Sequence, residues 1–106
     1  MAFTIKQNDT SPAIQATLKD GNGSPINLNG ADVVIHMKSV DGVLKVNEQV
    51  TIVDADTGVV KYEWATGDTD TVGTYYVEFQ VTYADSTIET FPNSSNIIIF
   101  IKPELA

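Results

Sequence analysis

The strongest constraint on this chain is branching at Cβ. Valine, isoleucine and threonine supply 34 residues against four leucines, and two heavy atoms on Cβ suit the pleated, half-buried surface of a sheet better than a helix. The apolar residues also recur with a two-residue period rather than a helical one. Tyr75, Val77, Phe79, Val81 and Tyr83 alternate with Tyr76, Glu78, Gln80 and Thr82, a ribbon with one apolar and one mixed face. Both properties predict an all-β protein with this ribbon at its centre. At 106 residues, 42% of them apolar, the chain makes one domain over residues 1–106 with a single core.

Shorter runs of the same kind surround the ribbon. Ile14, Ala16 and Leu18 alternate with Gln15, Thr17 and Lys19 before a turn from Asp20 to Pro25. Asp32 to Ser39 places Val33, Ile35 and Met37 on one face and Val34, His36 and Lys38 on the other. Asp41-Gly42 then supplies a positive-φ pair for a tight hairpin into Val43 to Val46. Val50 to Val53 follows, then a run with Val60, Tyr62 and Trp64 inward, and Ala84-Asp85-Ser86 turns the central ribbon back into Thr87 to Phe91. Pro92 to Asn96 separates that run from Ile97 to Ile101, which is apolar at both parities, so its outer face needs covering by another part of the chain or by a partner. With Phe3 to Lys6 the total is about eight or nine strands, and their spacing predicts an antiparallel two-sheet sandwich. Asp70-x-x-Gly73-x-Tyr75-x-Val77 favours an immunoglobulin-like one. Tyr75 stands two residues before an inward position, where a tyrosine corner sends its hydroxyl to backbone a few residues upstream. A jelly roll and an open barrel remain as alternatives.

Charge and composition exclude several functions. Six lysines, no arginine and 14 carboxylates give a formal charge of −8, which repels nucleic acid and anionic membrane surfaces and lacks the guanidinium fork for phosphate. The longest apolar run, Ile97 to Ile101, is too short to span a bilayer. Met1 to Lys6 shows no basic region followed by an apolar stretch, so no secretory signal is expected, and the Asn8, Asn22 and Asn93 glycosylation triplets read as chance occurrences. Without cysteine there is no disulfide, thiolate nucleophile or cysteine-bound metal centre. His36, the only histidine, sits mid-strand on a mixed face, and neither a nucleophile elbow nor a phosphate loop occurs. The chain reads as a non-enzyme without a cofactor.

Two weaker signals are worth following. Asp54 with Asp56 and Asp68 with Asp70 are calcium candidates, because loop carboxylates two apart can converge on a hard cation. Neither pair continues into an EF-hand loop, and aspartate is common in turns for local hydrogen-bonding reasons. Tyr62, Trp64, Tyr76 and Tyr83 would suit a sugar-binding surface, but parity puts Tyr62, Trp64 and Tyr83 on the core side and leaves Tyr76 outside. These signals keep two other classes in view: a carbohydrate-binding or adhesin-like module recognising a cell wall, and a calcium-stabilised domain of a larger enzyme.

Gly58-Val59-Val60-Lys61-Tyr62-Glu63-Trp64 and the segment from Gly67 to Phe79, G-D-T-D-T-V-G-T-Y-Y-V-E-F, resemble the immunoglobulin-like domain at the N-terminus of baseplate upper proteins in tailed phages of Gram-positive bacteria. Val81 to Asp85, Thr90-Phe91-Pro92, Asp9-Thr10, Leu18 to Gly21 and Gly30-Ala31 fit the same family, so the similarity runs from Lys6 to Ile101. Baseplate upper proteins continue into further domains where this chain ends at Ala106, which leads to the expectation of a small siphophage tail or baseplate accessory protein. The resemblance implies a structural virion component, assembled in the bacterial host cytoplasm, with other tail or baseplate proteins as partners, room for a homo-oligomer, and no catalytic residues. Strand edges invite pairing. Phe3, Ile5, Ile98 and Phe100, on the two terminal strands, are the interface candidates.

Overall fold

The alternating ribbon forms β7 (Gly73–Thr82), the longest strand among the described residues. In the computed structural model, which describes residues 2–92 and 97–105, one edge of β7 pairs with β3 (Asp32–Ser39) from Tyr75 to Thr82. The other edge is shared: Gly73 to Val77 pair with β9 (Ile97–Lys102), and Phe79 to Thr82 with β8 (Ile88–Phe91). β4 (Leu44–Gln49) extends the sheet beyond β3, and β1 (Ala2–Lys6) extends it beyond β9 in parallel. A second sheet runs β2 (Ile14–Thr17), β6 (Val59–Tyr62), β5 (Thr51–Asp54). Lettered as in immunoglobulin domains, β2–β6–β5 is B–E–D and β4–β3–β7–β9 is C′–C–F–G, so the predicted immunoglobulin-like sandwich is the fold observed. The predicted separator from Pro92 to Asn96, and the Asn93 triplet with it, falls outside the described residues after position 92.

Parity decides what lies between the sheets. Tyr75, Val77, Phe79 and Val81 are buried, as are Val33, Ile35 and Met37 opposite them, and Ile14, Ala16, Leu18, Val60, Tyr62 and Trp64 close the core from the second sheet. Three aromatics, Phe3, Tyr62 and Trp64, gather together. Trp64 packs edge-on to Tyr62, with ring centres 5.6 Å apart, and lies 6.2 Å from Phe3. Its indole N–H donates to the Pro12 carbonyl at 3.0 Å, so this buried donor is satisfied.

Three local features differ from the expected ones. Only Gly42 of the Asp41-Gly42 pair has positive φ. Ser39 N–H donates to the Val43 carbonyl and Gly42 N–H to the Ser39 carbonyl, which makes a three-residue loop ending in a left-handed residue rather than a two-residue turn. That longer loop delays β4 to Leu44, and pairing with Val34 carries it on to Gln49. Val50, expected to open a strand, instead separates β4 from β5, its N–H bonded to the Val33 carbonyl. The chain therefore changes sheets there over one residue without a turn. Gly58 sits where a Cβ would meet the Leu18 and Ile26 carbonyl oxygens at 2.8 Å each, at φ +69°, and its own carbonyl accepts from Leu18 N–H. Only glycine fits there.

The tyrosine corner is present. The buried Tyr75 hydroxyl donates to the Thr71 carbonyl at 2.7 Å, four residues upstream. This bond ties the long β6–β7 connection to the start of the central strand. Tyr75→Phe is expected to cost about 1–2 kcal/mol, read as a lower denaturation midpoint at unchanged slope. An unchanged midpoint would show that the hydroxyl contributes nothing to the fold.

Candidate docking surface

Each candidate calcium ligand is used locally. Asp54 accepts the Asp56 N–H at 3.1 Å, and Asp56 accepts the Asn29 side-chain amide at 2.7 Å. Asp68 takes the Tyr62 hydroxyl and the Ala65 N–H, at 2.5 and 2.9 Å. Asp70 takes the Lys45 ammonium and the Thr71 hydroxyl, and the Lys45 bond above all holds its carboxyl below the usual range. Among the described residues no three acidic or histidine side chains gather as a cation would need. The melting temperature is accordingly expected to be the same with calcium as with a chelator, and a calcium-dependent rise would restore the site.

The Asp68 cluster has a different consequence. Burial, then the bond to Asp68, pushes the Tyr62 hydroxyl well above the ordinary tyrosine range, while burial and Glu89 push Tyr83 up to about 12. Well below pH 10 both phenols are neutral in folded and unfolded chains. Above that the unfolded chain ionises first, so stability is lost as pH rises toward and through the folded values. Differential scanning calorimetry should show the melting temperature falling above pH 10, and Tyr62→Phe with Tyr83→Phe should flatten that fall. An equally steep fall in the double variant would place the alkaline sensitivity elsewhere.

The remaining candidates lie on the large sheet. Ile5 is a core residue opposite Ile101, and Phe3 packs inward against Trp64. Ile98 and Phe100 face outward, half-buried. Strand register sets them in two rows. In the first, Leu44 lies opposite Lys38, Lys38 opposite Tyr76, Tyr76 opposite Ile98, and Ile98 opposite Ala2. In the second, Thr74 lies opposite Phe100 and Phe100 opposite Thr4, with the Val40 N–H bonded to the Thr74 carbonyl. Next come Lys6 and Lys102 side by side, the Lys102 ammonium 5.3 Å from the centre of the Phe100 ring.

Tyr76 is 40% exposed, Leu44 50% and Val40 54%. Together with Ile98 and Phe100 they form an apolar band across the outer face. A shallow depression of about 250 Å³ beside Tyr76 is lined in part by His36, Lys38, Val40 and Glu78. His36 Nδ1 lies 3.4 Å from the Glu78 carboxylate, on the far side of the first row. Val40, Leu44 and Lys38 were not among the sequence candidates. Lys38 alternates outward along β3 as Tyr76 does along β7, but Leu44 reaches the outer face only through the register shift that sets both it and the buried Val46 against adjacent β3 residues, and Val40 lies in the hairpin loop, so strand pairing and not alternation joins them.

The family model of the BppU N-terminal domain, a family of phage baseplate upper proteins, matches residues 2–103. No curated protein sequence matches the chain. Among solved structures the chain is similar to CopC from Methylosinus trichosporium OB3b, with a TM-score of 0.55 and 14% identity over 97% of this chain and 85% of that one. That likeness is one of fold.

Proposed function

The chain belongs to the BppU N-terminal domain family of phage baseplate upper proteins, and on that premise we propose that it is a docking module that joins other tail or baseplate proteins through the outer face of its large sheet. Family membership makes it a structural component of the baseplate. The observation that supports docking, and this face for it, is the apolar band of Leu44, Val40, Tyr76, Ile98 and Phe100. Apolar surface left in water is a cost that burial against a partner removes. Leu44, Tyr76, Ile98 and Phe100 stand on paired strands, so their backbone is fixed before binding and they lose little freedom on association. Assembly in the host cytoplasm goes with this reading, because the partner must be met before the particle is complete.

Ile98→Thr with Phe100→Thr tests the reading, since threonine keeps strand propensity while removing apolar surface. The double variant should fold, with a melting temperature near that of the parent, yet fail to enter particles when supplied in place of it. Ile88→Thr, an exposed residue at the far end of β8, should enter normally. Normal incorporation of the folded double variant would overturn docking by this face. A second reading, a module for host-wall carbohydrate, is favoured by Tyr76 standing beside Lys38 and Glu78 in the shallow depression. Retention on purified cell wall that is lost in Tyr76→Ala would decide for it.

A further inference from the structure

The lysines of this acidic chain are distributed unevenly. Six lysines face 14 carboxylates in the whole sequence, yet the two outer rows and the strand ends beyond them hold Lys38, Lys6 and Lys102 and no carboxylate. The first carboxylate across the face, Glu78, is turned to His36. Asp41 lies past the end of β3 in the hairpin loop, and Glu104 accepts the Asn8 side-chain amide. Lys45 and Lys61 are engaged elsewhere, by Asp70 and Glu63. Among the described residues Lys38, Lys6 and Lys102 make no ion pair, and all three are exposed. Lys102 holds its ammonium 5.3 Å from the centre of the Phe100 ring, and the residue is exposed.

We propose, resting on the docking reading above, that the occupant of this face is an acidic surface of a different baseplate protein, an apolar ridge flanked by carboxylates. The ridge covers Tyr76, Ile98 and Phe100, and the carboxylates meet Lys38 on one side and Lys6 with Lys102 on the other. Charge-assisted hydrogen bonds formed as the face is desolvated fix its register. The net charge of −8 repels an acidic partner from the remaining surface, so approach is steered to the lysine-rimmed band. A second copy docked face to face would set the same lysines against each other, which disfavours a two-fold pair through this sheet.

Intact particles of the phage encoding this chain, treated with a zero-length carbodiimide, provide the test, because that reagent joins an amine to a carboxylate only where they touch. Hydroxyl-radical footprinting of the same particles reports which side chains are covered. The expected result is linkage of Lys38, Lys6 or Lys102 to Asp or Glu of another protein, none from Lys19, and protection of Tyr76, Ile98 and Phe100 relative to the free chain. Protection without those linkages overturns the acidic partner and leaves docking standing. Absence of protection overturns both. Linkages only between copies of this chain overturn the proposal in favour of self-association. Lys38→Glu with Lys102→Glu should abolish incorporation at unchanged melting temperature, whereas Lys19→Glu should not. Equal incorporation of the two variants would overturn it as well.

Discussion

A single strand satisfied along both edges sets the terms for the rest of the molecule. β7 gives one edge to β3 and the other to β9 and β8 in turn, so its backbone groups are paired inside the sheet and its position is fixed. Burial of Tyr75, Val77, Phe79 and Val81 then leaves Tyr76 and Glu78 no choice but the opposite face. Register passes that parity sideways to Lys38 and Leu44 on one hand and to Ile98 and Ala2 on the other. The apolar band is thus placed by the core: a one-residue slip that moved Tyr76 inward would expose Tyr75, Val77, Phe79 and Val81, bury Glu78 and Gln80, and lose the sandwich before it lost the surface.

The end of the sandwich where Phe3, Tyr62 and Trp64 meet is held by polar contacts of unusual reach along the chain. Thr69 is buried and donates to the Asp9 carbonyl at 2.7 Å, while the Thr69 carbonyl accepts from Asn8. Gln7 donates to the Asp70 carbonyl through its side chain and to Lys102 through its backbone. These bonds stitch the exit of β1, the exit of β9 and the β6–β7 connection into one plug. Among the described residues no buried side-chain polar atom lacks a partner, which is what a rigid end requires. The carboxylates resembling a cation site in the sequence serve as acceptors in this network and in neighbouring turns.

Much of the fold could be read from residues alone because the signals were local. The span of β3 from Asp32 to Ser39, the inward set Val60, Tyr62 and Trp64, and the tyrosine corner all follow from two-residue alternation or from a short motif. Features that depend on distant partners were harder to see. The length of β4 is set by Val34 across the sheet, the sheet change at Val50 by the Val33 carbonyl, and the hairpin geometry by a bond from Ser39 to Val43. For the surface, Ile98 and Phe100 were visible because β9 is apolar at both parities. Ile5 and Phe3 shared that apolar character but point inward, since the parallel register sets Ile5 beside the buried Ile101. Nothing in a single strand reveals which neighbour completes a row.

The pairing of β1 with β9 carries a mechanical consequence. The two strands run in the same direction, joined from Ala2 and Ile98 to Lys6 and Lys102. Tension applied before Ala2 and after Lys102 therefore pulls on opposite ends of the pair, loading its hydrogen bonds in shear so that they resist together. An antiparallel pair pulled from adjacent ends would unzip bond by bond. In this arrangement the seam between the two terminal strands behaves as a clamp against tension applied through the chain ends.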